Sequence, residues 1–362
     1  LPDPRHATLT KFRDEDGNLI DEGLVVFMPG PHSYTGEDTL ELYLHGGPAV
    51  ITHAISTLTS EPGVRLAEPG EFTRRAFEAG KIDLTEAEGV ADIIEAETNA
   101  QKAQALRQLT GGLTEQYDQW RADLTGILAL IEVVVDFPDE EDAPEETTAP
   151  VIRKLTRLIH EIEEALGDRG IGEKIRDGFR IAIIGAPNAG KSGLRETQDE
   201  IEAEGVRRAE RVAAEADLRL FMVDGGAPEL GVLNSLFRQT TDIVVVNKAD
   251  TELAAGLPEY DYKISAKDGD GVPELEAALA DFISNKAASV EAPVITRARH
   301  RARLVDGLAC LIAARDALEL CTGPELAAED VRLAIRHLGA VVGSVGVEDV
   351  LGAVFSQFCI GK

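Results

Sequence analysis

One eight-residue segment restricts the fold of this 362-residue chain more than any other. An apolar run at residues 179–184 leads into Gly-Ala-Pro-Asn-Ala-Gly-Lys-Ser at residues 185–192, which fits the pattern Gly-x-x-x-x-Gly-Lys-Ser. Backbone N–H groups of such a loop surround phosphate groups. Similar apolar runs at residues 218–223 and 242–246 predict further parallel strands. The sequence therefore predicts a parallel α/β sheet with a nucleotide site at its edge.

The loop supplies consecutive candidate binding residues. They are Asn188, Ala189, Gly190, Lys191 and Ser192, followed by Gly193. Glycine lets the backbone approach the phosphates closely, and Lys191 brings a positive charge to the outer phosphates. The Ser192 hydroxyl is the expected Mg²⁺ ligand.

Two further motifs follow predicted strands and indicate which nucleotide base is bound. Asn-Lys-Ala-Asp stands at residues 247–250, and Ser-Ala-Lys stands at residues 265–267. They resemble the Asn-Lys-x-Asp and Ser-Ala-Lys elements of translation-factor-like GTPases. The candidate residues are Asn247, Lys248, Asp250, Ser265, Ala266 and Lys267. In those GTPases the aspartate accepts hydrogen bonds from N1 and the exocyclic amine of guanine, so the resemblance predicts that Asp250 selects GTP and GDP over adenine nucleotides.

The order of strand and helix patterns predicts several domains. Residues 1–80 mix strand-like runs with turn clusters, which indicates a small α/β domain. Apolar residues three and four apart indicate helices over residues 84–167, 297–320 and 327–338, with one strong interruption in the acidic run 136–144. The fold class is multidomain, α/β plus all-α. The predicted domains are residues 1–80, a helical bundle of residues 81–177 with 289–362, and an inserted P-loop domain of residues 178–288.

Charge and composition argue against several classes of protein. The 65 acidic and 36 basic side chains give a formal net charge of −29, which disfavours tight unaided binding of nucleic acid. No run of about 18 apolar residues and no signal-peptide pattern occurs, so we expect no membrane association and a cytoplasmic location. Cys310, Cys321 and Cys359 lack metal-ligand spacing, and neither a disulfide framework nor a zinc site is predicted.

Longer segments spread over the chain carry a more specific resemblance. They are Gly-Pro-His-Ser-Tyr-Thr-Gly-Glu-Asp at residues 30–38, His-Gly-Gly-Pro at 45–48, Pro-Gly-Glu-Phe-Thr-Arg-Arg-Ala-Phe at 69–77, Lys-Ile-Asp-Leu at 81–84, Asp-Phe-Pro-Asp-Glu-Glu at 136–141, Gly-Leu-Arg-Glu-Thr-Gln-Asp-Glu-Ile-Glu-Ala-Glu-Gly at 193–205 and Phe-Cys-Ile-Gly-Lys at 358–362. The chain thereby resembles the tRNA-modifying GTPases of the MnmE (TrmE) family. The resemblance implies an N-terminal folate-binding-like α/β domain, a helical domain and an inserted Ras-like G domain.

The resemblance also implies an activity and partners. Members of the family act with the FAD-dependent protein MnmG to add a carboxymethylaminomethyl or aminomethyl group at C5 of the wobble uridine of tRNA. GTP hydrolysis drives conformational change in that complex and is stimulated by potassium. A homodimer through the N-terminal domain is implied, with tRNA held through the complex and no membrane involved.

Roles of single G-domain residues follow from the same resemblance. Asn188 would be a K⁺ ligand, and Gly193 would be the glycine of an Asp-Thr-Ala-Gly motif. Leu194 stands where many GTPases have the glutamine that positions water, so Glu202 would be the catalytic carboxylate that orients and polarises the attacking water. From the residue pattern alone, Glu202 could also be a solvated glutamate in an acidic segment.

A folate site is implied in the N-terminal domain at the dimer interface. The cofactor would be 5-formyltetrahydrofolate or a related one-carbon folate, with Glu41 bonding the pterin and Lys81 and Lys362 near the charged tail. Cys359 would lie beside this pocket and take part in the modification. The residue pattern alone also allows Glu41 to be a polar strand residue and Cys359 to be a buried thiol.

The sequence after the phosphate-binding loop is unusually short. A P-loop serine normally opens a helix and is followed by a second strand with an aspartate for Mg²⁺, yet Ser192 runs directly into Gly193. The resemblance implies that a few dozen residues, including the first switch, are absent here. We expect that a mobile segment is omitted from this sequence. The alternative is an engineered, inactive chain that lacks the segment. Leu1 in place of methionine likewise predicts a missing start, which would hold an arginine of the folate site.

Two other functions stay open at this point. One is a GTPase switch in ribosome assembly or signalling without chemistry on RNA. The other is a folate one-carbon protein regulated by its G domain. The segments at residues 70–77 and 358–362 favour the tRNA-modifying function, and the acidic surface then predicts that a partner supplies the basic groups that hold tRNA.

Overall fold

A computed structural model describes most of the chain and divides it into two compact units. The described residues are 1–136, 143–168, 170–186, 188–190, 213–214, 216–228, 241–288, 295–320, 323–345, 348–356 and 358. By their internal contacts, unit 1 comprises Leu1–Gly167 with Arg297–Lys362, and unit 2 comprises Asp168–Thr296. The three-domain division from the sequence stays a prediction.

Unit 1 begins with a three-stranded antiparallel sheet. Its strands are β1 (Thr8–Arg13), β2 (Leu19–Met28) and β3 (Thr39–Tyr43), in the order β1-β2-β3. Two helices follow, α1 (Pro48–Ser60) and α2 (Glu71–Glu78). Burial alternates along most of β1, as expected for a strand covered on one face. Pro48 is compatible with the start of α1 because its missing N–H needs no partner there.

The rest of unit 1 is helical. Its helices are α3 (Leu84–Glu95), α4 (Asn99–Leu109), α5 (Gly112–Asp136), α6 (Ala143–Leu166), α9 (Ala298–Glu319), α10 (Pro324–Val342) and α11 (Glu348–Phe355). Helices α9 and α10 pack on each other and on α6 and α5, respectively. One face of α5 is fully buried at positions three and four apart, Tyr117, Trp120, Leu124, Ile127 and Ile131. Segments from both sides of unit 2 in the sequence therefore share one core.

The prediction of a single strong interruption between residues 84 and 167 was wrong. The structure breaks this stretch twice more, between α3 and α4 and between α4 and α5. Thr98 starts α4 with a capping box to Gln101, and Gly111, with φ 82°, precedes α5. A side chain that caps a helix start and a glycine with positive φ both end the preceding helix.

Unit 2 contains a parallel sheet. Its strands are β4 (Ile181–Gly185), β5 (Leu218–Asp224), β6 (Ile243–Asn247) and β7 (Tyr262–Lys263). Helix α7 (Ile171–Asp177) precedes these strands in the chain, and helix α8 (Val272–Ala288) follows them. The strand order is β4-β5-β6-β7, with every pair parallel. Strand β5 is buried throughout except at Asp224, so the sheet is covered on both faces. The strands predicted at residues 179–184, 218–223 and 242–246 are confirmed, with ends shifted by one or two residues.

No helix within the described ranges combines the length and the apolar character that crossing a membrane requires.

Candidate functional site

The predicted nucleotide motifs lie at one edge of the sheet in unit 2. Strands β4, β5 and β6 end at Gly185, Asp224 and Asn247, and the register pairs Gly185 with Met222 and Asp224 with Asn247. Parallel neighbouring strands deliver the loops that follow them to the same edge of the sheet. The loops after β4, β5 and β6 therefore meet there.

The described part of the phosphate-binding loop is residues 188–190. Gly190 has φ 91°, and a Cβ added to it would lie 2.0 Å from Asn247 Nδ2, so only glycine fits. Ala189 is completely buried, whereas Asn188 is exposed and has φ 66°. The carboxamide of Asn188 makes no hydrogen bond within the described residues.

Asn247 joins the phosphate-binding loop to the Ser-Ala-Lys segment. Its side chain is buried, Nδ2 donates to the Ala189 carbonyl at 3.0 Å, and Oδ1 accepts from the Ala266 N–H at 3.0 Å. Both ends of the carboxamide are thus used, and an aspartate at this position could not donate. The asparagine fixes the spacing between the predicted phosphate and base sites.

Asp250 and Ser265, both predicted from the sequence, are brought together. Ser265 Oγ donates to Asp250 Oδ1 at 3.1 Å, and Lys267 Nζ lies 3.6 Å from Asp250 Oδ2. The Ser265 hydroxyl also accepts from the Asp268 N–H at 3.1 Å, which orients it. Since the Asp250 side chain is 18% exposed, its carboxylate is held at the edge of the sheet with access for a ligand.

Sequence reasoning missed Asp224, which pairs with Lys248. Lys248 Nζ lies 2.6 Å from Asp224 Oδ2. Burial opposes ionisation of Asp224, but hydrogen bonds from Lys248 and the Gly226 N–H outweigh burial and lower the pKa of Asp224. An acidic residue at the end of a buried strand, followed by Gly-Gly, was the signal that could have revealed it.

The N-terminal candidates Glu41 and Lys81 lie apart from these motifs, in unit 1. Glu41 is half-buried on β3 and accepts a hydrogen bond from the Tyr43 hydroxyl, which raises the pKa of Tyr43. Lys81 Nζ donates to the Pro31 carbonyl at 2.7 Å. Within the described residues no hydrogen bond or ion pair joins Glu41 to Lys81.

A cleft of about 560 Å³ lies between α2 and α11 in unit 1. Its charged lining consists of arginines and glutamates that pair with one another: Arg65 with Glu71, Arg74 with Glu78, and Arg75 with Glu37 and Glu71. The guanidinium groups are therefore already paired, and hydrogen bonds from Arg65 and Arg75 lower the pKa of Glu71 to about 2.

Several predicted site residues lie outside the described residues. They are Lys191, Ser192, Gly193, Glu202, Cys359 and Lys362. Their roles stay predictions. In the described ranges, no three His, Cys, Asp or Glu side chains are grouped so that they could hold a metal ion.

Comparison with known proteins decides the family. A family model described as the GTP-binding protein TrmE N-terminus matches residues 1–81, and one described as the MnmE helical domain matches residues 84–359. A tRNA modification GTPase MnmE of Hyphomonas neptunium is 58% identical over 404 residues, covering 100% of this chain and 91% of the relative. The chain belongs to the MnmE family.

Other MnmE relatives agree with this assignment. The tRNA modification GTPases MnmE of Maricaulis maris and Parvibaculum lavamentivorans are each 45% identical, over 407 and 402 residues, and cover 100% and 99% of this chain and 91% of each relative. These alignments are longer than the chain itself, so the sequence lacks positions that its MnmE relatives have. The family resemblance stated from the sequence is confirmed.

Proposed function

We propose that this chain binds and hydrolyses GTP and takes part in the modification of tRNA, which is what the names of its relatives state for them. The observation that carries the nucleotide part is the Asn247 carboxamide. It joins the phosphate-binding loop to the Ser-Ala-Lys segment and so holds a phosphate site and a base site at a fixed distance. On this proposal, unit 2 contains a Ras-like G domain inserted into the helical domain.

Guanine selection is assigned to Asp250. Its carboxylate can accept two hydrogen bonds, and guanine offers two neighbouring donors at N1 and the exocyclic amine. Adenine has no hydrogen on N1 and no amine at C2, so it leaves the carboxylate unpaired, which costs binding free energy. The hydrogen bond from Ser265 and the nearby Lys267 ammonium orient the Asp250 carboxylate for this role.

The phosphate and catalytic roles rest on residues of the loop and of the segment after it. Lys191 would neutralise the outer phosphates, Ser192 would bind Mg²⁺, and Gly193 would lie beside the γ-phosphate. Asn188 is exposed and its side chain carries an oxygen, which suits a K⁺ ligand because potassium prefers oxygen donors. Glu202 would orient the water that attacks the γ-phosphorus as the bond to the β–γ bridging oxygen breaks, giving GDP and phosphate.

The tRNA chemistry is assigned to unit 1 and a partner. Glu41, Lys81 and Lys362 would bind a 5-formyltetrahydrofolate-type cofactor, in an N-terminal domain that also forms the homodimer. The half-buried carboxylate of Glu41 suits an acceptor for a pterin. Cys359 would lie beside this site, and the FAD-dependent MnmG would act with the chain at C5 of the wobble uridine, in the cytoplasm.

The test is GTP turnover in KCl and in NaCl at equal ionic strength, with Asp250→Asn measured alongside. We expect faster turnover in KCl, because K⁺ would complete the charge around the transferred phosphoryl group. Asp250→Asn should lose GTP turnover and gain activity with xanthosine triphosphate, whose C2 carbonyl accepts a hydrogen bond from an asparagine amide.

Glu252→Gln is the matched control, since Glu252 is an exposed acidic residue two positions after Asp250 that the proposal does not assign to the base. It should keep the preference for GTP. Equal turnover in both salts would contradict the potassium mechanism. Unchanged base preference in Asp250→Asn would contradict the proposed guanine site.

A further inference from the structure

The loop after β5 carries a carboxylate whose two oxygens are both committed. Asp224 Oδ2 lies 2.6 Å from Lys248 Nζ, and Oδ1 accepts from the N–H groups of Gly226 at 2.9 Å and Ala227 at 3.3 Å. The Asp224 side chain is 16% exposed and that of Lys248 is 39% exposed. Partial burial reduces solvent screening, so this pair is stronger than an exposed ion pair.

The backbone around Asp224 is locked against the Asn-Lys-Ala-Asp loop. The Gly225 N–H donates to the Asn247 carbonyl at 2.8 Å, and the Ala254 N–H donates to the Gly225 carbonyl at 2.7 Å. A Cβ added to Gly225 would lie 2.6 Å from Leu253 Cδ2 and 2.8 Å from the Asn247 oxygen. The Asp224 carboxylate therefore has a fixed position relative to Lys248.

In the sequence, Lys248 lies between Asn247 and Asp250, the residues that connect to the proposed phosphate and base sites. Asn247 bonds the phosphate-binding loop, and Asp250 carries the carboxylate assigned to guanine. The backbone of Lys248 has φ 63°, a conformation that a lysine seldom adopts, which aims its side chain in one direction. If the proposed function holds, the stem of this side chain would lie beside the nucleoside, while its ammonium is held by Asp224.

We infer that Asp224 is a positioning residue for guanine-nucleotide binding, which holds the Lys248 side chain in its binding conformation before the nucleotide arrives. This inference rests on the proposed GTP function. A free lysine side chain samples many rotamers, and ordering it during binding reduces affinity. A carboxylate that already holds the ammonium removes most of that loss, as a supporting residue does for a preorganised site.

Asp224→Asn separates this role from a purely structural one. The asparagine keeps a side-chain oxygen for the Gly226 and Ala227 N–H groups but loses the charge that holds Lys248. The chain also offers a matched control pair, in which Asp217 Oδ1 lies 2.6 Å from Lys174 Nζ and Oδ2 accepts from the Arg180 N–H at 2.9 Å. Asp217 is 11% and Lys174 37% exposed, and Asp217 precedes β5, at the sheet edge opposite to the nucleotide motifs.

The experiment measures the dissociation constant of GDP for the full chain and for Asp224→Asn and Asp217→Asn, by titration with GDP in the presence of Mg²⁺. Asp224→Asn should weaken GDP binding about tenfold, the loss expected for one charged hydrogen bond. Its KM for GTP should rise with the dissociation constant while kcat stays unchanged, and its melting temperature should fall no more than that of Asp217→Asn. Asp217→Asn should bind GDP as the unaltered chain does.

Three results would overturn the inference. One is equal GDP affinity in the two variants, and another is a fall in kcat without a change in KM. The third is a loss of GDP affinity in Asp224→Asn that a much lower melting temperature accompanies. If the unaltered chain failed to bind GDP, the proposed function would fall together with the inference. If it bound GDP and the two variants matched, the inference alone would fall.

Discussion

A buried cluster of charged residues in unit 1 joins two helices, α3 and α9, that are far apart in the sequence. Glu88 is fully buried on α3, with Oε1 2.6 Å from Arg299 Nε and Oε2 3.0 Å from His300 Nε2. Beside it, Arg297 Nη2 donates to Asp92 Oδ1 at 2.6 Å. The cluster attaches the first turn of α9, at the point where the chain returns to unit 1, to the side of α3.

Two members of this cluster, Glu88 and His300, have shifted pKa values. Burial opposes ionisation of Glu88, but His300 and Arg299 outweigh it, so the pKa of Glu88 is lowered and its carboxylate stays charged. Burial lowers the pKa of His300 below its ordinary value of 6.5, against the attraction of Glu88. The folded chain thus holds a neutral His300 that donates to an ionised Glu88.

These shifts predict that unit 1 loses stability in mild acid. Below about pH 6.5 the histidine is protonated in the unfolded chain but stays neutral in the folded chain. The free energy of unfolding therefore falls by up to about 1.4 kcal/mol for each unit by which the pH is lowered. His300→Gln keeps a side-chain donor and removes the titration, so its melting temperature should change less between about pH 7.5 and pH 5.5 than that of the unaltered chain.

The control is His160→Gln, because His160 is exposed on α6 beside Glu164. It should reproduce the pH dependence of the unaltered chain. Parallel melting curves for all three proteins across this pH range would contradict a neutral buried His300.

The sequence predicted some residues of the candidate site and missed others for a physical reason. Asn247, Asp250 and Ser265 stand in two short motifs, each in or next to the loop that follows a strand. Glu88 and His300 are 212 residues apart in sequence and meet only through helix packing. No local pattern specifies such a contact, and the pairing of Asp224 with Lys248 across two strand ends was missed for the same reason.

At the scale of elements, two helices of unit 1 begin with the same type of cap in different surroundings. Asp83 starts α3 with a capping box to Glu86, and Thr98 starts α4 with a capping box to Gln101. Asp83 also accepts hydrogen bonds from the hydroxyls of Thr85, at 2.8 Å, and Thr114 on α5. One carboxylate therefore both caps α3 and ties it to α5.

Asp83→Ala is accordingly expected to destabilise unit 1 more than Thr98→Ala. Loss of a cap costs about 1 kcal/mol, and Asp83→Ala also removes the acceptor that Thr85 and Thr114 share, for a total of about 2 to 3 kcal/mol. Chemical denaturation of both variants measures the difference. Equal losses of unfolding free energy would show that the contact with Thr114 contributes nothing.

Elements differed in how well the sequence predicted them. The strands of unit 2 are buried on both faces and appear as continuous apolar runs, which local composition reveals. The breaks around α4 were missed although Thr98 and the Thr-Gly-Gly run at residues 110–112 are start and stop signals in the sequence. There the capping side chain of Thr98 and the positive φ of Gly111 outweigh helix propensity.

At the scale of the whole molecule, the helices before and after unit 2 in sequence share a core, which the order of patterns suggested. No sequence pattern marks the limits of unit 2 at Asp168 and Thr296, because contacts within each unit, and not composition, define these limits. The acidity also belongs to this scale. A formal net charge of −29 acts on any polyanion that approaches, whatever its sequence.

This acidity bears directly on tRNA. Binding to a phosphate backbone requires basic side chains that release counterions. The arginines of the cleft between α2 and α11 do not meet this need, since Arg65, Arg74 and Arg75 are each held by a glutamate at 2.8 to 2.9 Å. We therefore expect the chain alone to bind tRNA more weakly than about 10⁻⁴ M at physiological salt, with little salt dependence.

Fluorescence anisotropy with labelled tRNA at several salt concentrations measures both quantities. Glu71→Gln provides the internal comparison, because it removes the carboxylate that holds Arg65 and leaves Arg75 with Glu37 alone. That variant should bind tRNA more tightly than the unaltered chain and with a steeper dependence on salt. Tight binding by the unaltered chain, with a steep salt dependence, would mean that a basic surface exists despite the overall charge. The basic groups that hold tRNA would then belong to this chain and not to a partner.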